Sequence, residues 1–158
     1  MNDVHASFFF GGEQMQKVMF VVPGEPIGKG RPRFRQVGQY TQTYSPKQTV
    51  NYESLVRLEY HAQCGNHIFC QDAALGMRIT AYKPIPKSTS KRKTLQMLDN
   101  VIRPTKKPDW DNIGKIVCDA LNKTAFHDDA QIVDGSVIKC YSEQPRIEVE
   151  IWEIAEGG

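Results

Sequence analysis

A chain of 158 residues is long enough for one domain with a real core and too short for two comfortable ones. Its 40% hydrophobic and 24% charged residues, at a formal net charge of +2, exclude a wholly disordered chain, and its apolar runs at residues 8–10 and 18–22 fall far short of a membrane span of roughly 20 residues. The first residues lack the basic region and cleavage site of a signal peptide, so a cytoplasmic protein with no membrane partner is expected.

Residues 1–16 show no clear periodicity and read as a flexible N-terminal extension, which leaves residues 17–158 as a single domain. The fold is expected to begin with a β-rich run at residues 18–22 that ends at Pro23. The segment PGEPIGKGRPRFR follows, and its cations Lys29, Arg31, Arg33 and Arg35 fall at every second position. Extended backbone would turn all four to one side. Ser45 as N-cap, Pro46 at the first helical position and Gln48 at the third predict a capping box. Tyr52, Leu55, Val56 and Ala62 then supply the apolar stripe of a helix ending near Ala62.

Residues 75–82 read as a strand, and residues 88–98 as a helical stretch whose opening turn carries Lys91, Arg92 and Lys93. Three cations there oppose the positive end of the helix dipole, a conflict that a bound phosphate would remove. Solvated lysines on a loop or a weak helix are the alternative. Further strands are expected at residues 136–141 and 146–151, the second with clean alternation. The order of elements predicts an α+β fold, with helices packed on a mixed, mainly antiparallel sheet of four to five strands.

Charge is unevenly spread: residues 83–107 hold eight cations, Arg103, Lys106 and Lys107 among them, against the single Asp99. Such clustering suits a phosphate backbone. Cys64, Cys70, Cys118 and Cys140 form no C-x-x-C pair and read as buried free thiols rather than zinc ligands.

Two acidic pairs interrupt this basic surface, in KPDWDNIGK (residues 107–115) and FHDDAQ (residues 126–131). On a helical wheel Trp110, Ile113, Ile116, Val117, Ala120 and Leu121 share one broad face, while Asp111, Lys115 and Asp119 share another. Asp109, after Pro108, stands where an N-cap would be. Structural roles are open to each: capping for Asp109, the dipole for Asp111, an i,i+4 ion pair for Lys115. A helix over residues 109–122 is about 21 Å long. Seven residues, 123–129, span at most about 23–25 Å, so a nearly straight return would bring Asp129 back to the level of Asp111. Carboxylates converging without histidine or cysteine would make an all-oxygen site suited to magnesium or manganese. An EF-hand is excluded by Ile113 and Ala120 at the fifth and twelfth loop positions.

The stretch KPDWDNIGKIVCDALNKTAFHDDAQIVD resembles the signature of the RusA-type Holliday-junction resolvases, approximately D-x-D-N-x-x-K, then D-A-L, then D-D-x-Q. PGEPIGKGRPRFR is similar to the family's phage-type branch, so the likeness covers about residues 18–152. The resemblance implies a homodimeric, magnesium-dependent endonuclease, with manganese as a substitute, that resolves four-way DNA junctions by paired symmetric nicks in recombination and repair. By position it makes Asp109, Asp111 and Asp129 metal-binding and catalytic, with Asp128 as a further metal-site candidate, Lys115 the catalytic lysine, and Asp119 a support for Lys115. Lys29, Arg31, Arg33, Arg35, Lys91, Arg92, Lys93, Arg103, Lys106 and Lys107 would hold the DNA. Where some relatives carry consecutive arginines before the first acid, this chain has Lys106-Lys107-Pro108. A non-catalytic basic nucleic-acid-binding module is the alternative; it has no need of the paired carboxylates.

Overall fold

A computed structural model describes residues 8–10 and 13–155. Part of the N-terminal extension is a ribbon in it, β1 (Phe8–Phe10) pairing antiparallel with β2 (Glu13–Met15). Residues 1–7, 11 and 12 lie outside the described residues. The main sheet contains β3 (Lys17–Pro23), β6 (Leu75–Pro84), β7 (Ile132–Ser142) and β8 (Arg146–Glu153) in the order β3-β8-β6-β7. β8 runs antiparallel to both β3 and β6, while β6 and β7 are parallel. The expected mixed, mainly antiparallel sheet in an α+β fold is therefore present, with four strands. A second ribbon, β4 (Arg33–Val37) paired with β5 (Tyr40–Tyr44), stands apart from it.

Alternation decides which face of the sheet is covered. Val18, Phe20 and Val22 on β3, Ile147, Val149 and Ile151 on β8, and Leu75, Met77, Ile79 and Ala81 on β6 are all buried. Against them pack α1 (Lys47–Cys64) and α3 (Trp110–Leu121), which also touch each other. The parallel β6–β7 pair requires a long crossover, and this one contains α2 (Lys91–Leu98) and α3.

α1 differs from expectation at both ends. It begins at Lys47 with Pro46 at the cap and no side-chain cap hydrogen bond, so Ser45 lies one residue outside and there is no capping box. It continues past Ala62 to Cys64 and is closed by Gly65, whose N–H donates to the His61 carbonyl at 3.0 Å. The buried stripe is Thr49, Tyr52, Val56, Tyr60 and Cys64; Leu55 is half-buried and Ala62 exposed. Tyr60 escapes an apolar-stripe reading because its hydroxyl masks an apolar ring, which stacks edge-on against Phe20 while the hydroxyl donates to the His67 carbonyl at 2.7 Å. α2 starts later than residue 88, with the Ser90 hydroxyl accepting from Lys93 N–H, so Lys91, Arg92 and Lys93 do form its first turn. All four cysteines are free, but only Cys64 and Cys140 are buried; Cys118 is intermediate and Cys70 exposed. Burial pushes the Cys64 and Cys118 thiols up to about 11.

Candidate active site

The two glycines of the GKG triplet explain how the N-terminal loop comes to lie on the helices. A Cβ on Gly28 would stand 2.9 Å from Pro108 Cβ and 3.0 Å from Asn112 Cβ, and one on Gly30 would stand 2.7 Å from Thr49 Oγ1. Lacking side chains, they let the loop touch the start of α3 on one side and of α1 on the other. Lys29 N–H donates to the Asn112 carbonyl at 2.8 Å and Gly30 N–H to Thr49 Oγ1 at 3.1 Å. The result is an open cleft of about 700 Å³, with Tyr52, Leu55, Lys83, Lys107, Asp109 and Asn112 among its walls.

α3 forms as its periodicity requires, with Ile113, Ile116, Val117, Ala120 and Leu121 buried. Trp110 departs from that face: as the first helical residue it precedes the turn that meets the core, and it is 65% exposed. Asp109 occupies the cap position with extended backbone, yet its carboxylate makes no cap hydrogen bond. Asp111 and Lys115 are exposed. Among the described residues the Asp109 and Asp111 carboxylates and the Lys115 ammonium have no hydrogen-bond or ion-pair partner. The capping and ion-pair roles open to them on sequence grounds are thus unfilled.

Asp119 does not support Lys115. It pairs with Lys29 at 2.8 Å, and Lys29 also pairs with Glu53. Lys29 has therefore left the alternating basic series, its side chain only 20% exposed. Burial would lower its pKa, but the hydrogen bonds and charges of Asp119 and Glu53 outweigh that and hold it above the usual lysine value.

The second acidic pair divides its duties. Asp128 Oδ1 accepts from Ala130 N–H at 2.8 Å and caps a 3-10 turn, Asp129–Gln131, in a full capping box with Gln131. Gln131 does more than close the box. Its Oε1 accepts from the His127 and Asp128 N–H groups at 2.9 and 3.2 Å, and its Nε2 donates to the Cys70 and Ala73 carbonyls at 2.8 and 3.1 Å. The D-D-x-Q spacing is thus a built turn, and Gln131 is a site-forming residue that charge-based reading overlooks. Asp129 is left exposed. Desolvation, a hydrogen bond with Asp128, and the charges of Asp128 and Asp119 together raise its pKa.

The straight return after α3 is not taken. Thr124 and Ala125 N–H groups both donate to the Leu121 carbonyl at 2.9 Å, Lys123 sits at φ 60°, and Ala125 and Phe126 are buried. Asp119, about 12 Å of rise along α3 from Asp111, is among the charges that raise the Asp129 pKa. The donors are in kind those of a hard divalent cation, carboxylate oxygens without thiol or imidazole. In arrangement, no three or more His, Cys, Asp or Glu among the described residues are grouped to hold a metal ion.

The remaining cations lie on exposed ground. Arg31, Arg33, Arg35, Lys91, Arg92, Lys93, Arg103, Lys106 and Lys107 are all exposed. The loop before α3 is tied to the sheet: Arg103 Nε donates to the Lys139 carbonyl at 2.9 Å, Lys139 Nζ to the Lys106 carbonyl at 2.7 Å, and Lys83 Nζ to the Lys107 carbonyl at 3.1 Å. No helix among the described residues is long and apolar enough to cross a membrane.

The sequence matches the family described as endodeoxyribonuclease RusA over residues 23–152. It is also 36% identical over 143 residues to the uncharacterised protein YqaN of Bacillus subtilis (strain 168), an alignment covering 89% of this chain and 99% of that one.

Proposed function

The chain belongs to the RusA endodeoxyribonuclease family, and we propose that it is a divalent-metal-dependent, structure-specific endonuclease that resolves four-way DNA junctions in recombination and repair. The observation that carries this reading is the state of the α3 N-terminus. Asp109, Asp111 and Lys115 stand on a rigid, core-anchored helix, and among the described residues none of their charged groups has a hydrogen-bond or ion-pair partner. Exposed charges of both signs held free of one another suit a reaction at a phosphodiester better than they suit stability.

By their place in the family's motif, Asp109, Asp111 and Asp129 are the carboxylates that would hold magnesium, or manganese in its place, although the fold by itself does not group them among the described residues. An ion held there would supply a water of lowered pKa and Lewis-acid polarisation of the phosphate. Lys115, one turn from Asp111, offers a positive charge to the phosphate oxygens as negative charge grows on them. Asp128 and Gln131 hold the turn that presents Asp129. Arg31, Arg33, Arg35 and the first turn of α2 bind phosphates along the DNA arms, with affinity that falls as salt rises.

The test is incubation of the protein with a synthetic four-way junction and with matched duplex, in magnesium and in chelator. Junction-selective incision that chelator abolishes is the expected result. Binding without incision in any divalent metal would overturn the nuclease reading and leave a binding module.

A further inference from the structure

The β4–β5 ribbon has no core beneath it: every residue from 31 to 45 is exposed. A two-residue turn joins its strands, with Gly38 at φ 63° supplying the positive φ that such a turn needs to match strand twist. Four large apolar or aromatic side chains nevertheless lie on it, Phe34, Val37, Tyr40 and Tyr44, at 69, 49, 80 and 43% exposure. Isolated exposed hydrophobics are ordinary, but four on one unsupported ribbon mark a contact surface.

The register says what kind of surface it is. Arg33 pairs with Tyr44, Arg35 with Gln42 and Val37 with Tyr40. Cross-strand partners share a face, so one face combines Arg33, Arg35, Tyr40 and Tyr44, while Phe34 lies on the other. No acid occurs between Glu25 and Glu53. Lys29 is committed to Glu53 and Asp119, and among the described residues Arg31, Arg33 and Arg35 have no ion-pair partner. Two of the ribbon's three glutamines, Gln36 and Gln42, are occupied within it, and Gln39 sits at its turn. Gln42 Oε1 accepts from Arg35 Nε at 3.0 Å, Gln36 Oε1 from Thr41 Oγ1 at 3.1 Å, and Gln36 Nε2 donates to the Gly38 carbonyl at 3.3 Å. Along the strands what remains free is aromatic rings beside positive charge, the combination that holds unpaired nucleotides by stacking and phosphate contact.

We propose that the β4–β5 ribbon is a base-stacking finger for unpaired nucleotides at the branch point of the DNA, with Tyr40 and Tyr44 offering ring faces and Arg33 and Arg35, on the same face, holding adjacent phosphates. The proposal rests on reading the substrate as branched DNA. Binding is therefore measured in chelator, where incision plays no part.

The probes are a short single strand carrying one 2-aminopurine, a four-way junction with 2-aminopurine at its centre, and matched duplex. The full chain is expected to quench the first two and not the third. Tyr40→Ala with Tyr44→Ala should weaken single-strand binding at least about tenfold and abolish the quench, since one stacked ring is worth about that factor. Tyr40→Phe with Tyr44→Phe should keep both. Far-ultraviolet circular dichroism of the alanine variant establishes that the body of the fold is retained. Unchanged affinity and quench in the alanine variant would overturn the proposal, as would equal loss on duplex. Conversion of a dimer to a monomer by the same changes, read by light scattering, would also overturn it by assigning the ribbon to a second copy of this chain. A protein that quenches but never incises in magnesium would retain the finger and lose the nuclease reading; one that incises junctions without quenching would do the reverse.

Discussion

Asp109 and Asp111 differ from ordinary helix-starting aspartates in what they leave undone, since neither carboxylate makes a hydrogen bond or an ion pair among the described residues. Asp111→Asn is accordingly expected to leave junction affinity intact and to lower single-turnover incision at least about a hundredfold, the scale of one positioned electrostatic interaction. Incision at near the wild-type rate in magnesium would remove Asp111 from the site. Lys29 is the opposite case, a cation absorbed by structure. Lys29→Met strands Glu53 and Asp119 half-buried without their partner and should cost about 1–3 kcal/mol in denaturant unfolding. Because its folded pKa is raised, the contribution of Lys29 is fully present below 10.5 and is lost as pH rises through the folded value. Asp129 carries the reverse sign. A carboxyl raised on folding contributes nothing below its unfolded value near 3.8, and costs stability as pH rises from there through the folded value. Asp129→Asn should thus be more stable than wild type near pH 7 and equal to it near pH 3, in thermal melts with chelator. Sequence alone makes these duties only partly legible. Spacing identifies the acids, but a partner 90 residues away, as Lys29 is from Asp119, leaves no local pattern to read.

α3, Trp110 apart, and most of β8 can be read because a single partner surface sets each pattern: an apolar stripe at helical spacing and an alternation of two. α1 resists because its buried stripe is built from Thr49, Tyr52, Tyr60 and Cys64 as well as Val56, polar or ambiguous types that burial alone makes apolar. The β4–β5 ribbon cannot be told from a loop, since it buries nothing and so carries no hydrophobic period. α2 is readable in its charge. Lys91, Arg92 and Lys93 occupy its exposed first turn without an acid there to relieve the dipole. Reversing all three to glutamate should weaken junction binding and reduce the steepness of its salt dependence by about 0.9 for each phosphate no longer neutralised. The incision rate at saturating protein should change little, whereas Lys115→Ala should lower the single-turnover incision rate far more than it lowers affinity. Equal effects of the two changes on affinity and on single-turnover rate would remove the reason for separating their roles.

One chain carries a single set of Asp109, Asp111, Lys115 and Asp129, whereas resolving a four-way junction requires two incisions placed symmetrically about its centre. A two-fold dimer offers two identical sites with the symmetry of the substrate, so each can act on one strand. The described surface limits where such a dimer forms. The open face of the sheet is charged, with Lys17 paired to Glu150, Arg146 to Glu148, and the Arg146 guanidinium 3.9 Å over the Tyr82 ring. The β3 edge is closed in part by Gln63, which bonds both Val21 N–H and its carbonyl at 2.9 and 2.7 Å. At the other edge, the β7 start is open, with Val133 66% exposed. An unpaired edge strand is a ready surface for a second copy, and a β7-to-β7 interface would set the two Asp129 residues, just before Ile132 in the chain, on either side of the dimer axis. Light scattering at micromolar concentration is expected to give twice the chain mass, and Val133→Lys to lower it toward one. With a supercoiled cruciform plasmid, the dimer should yield linear product with little singly nicked circle, because the second cut outpaces dissociation. A monomeric mass with accumulating nicked circles would count against paired resolution, and a dimer indifferent to Val133→Lys would move the interface away from β7.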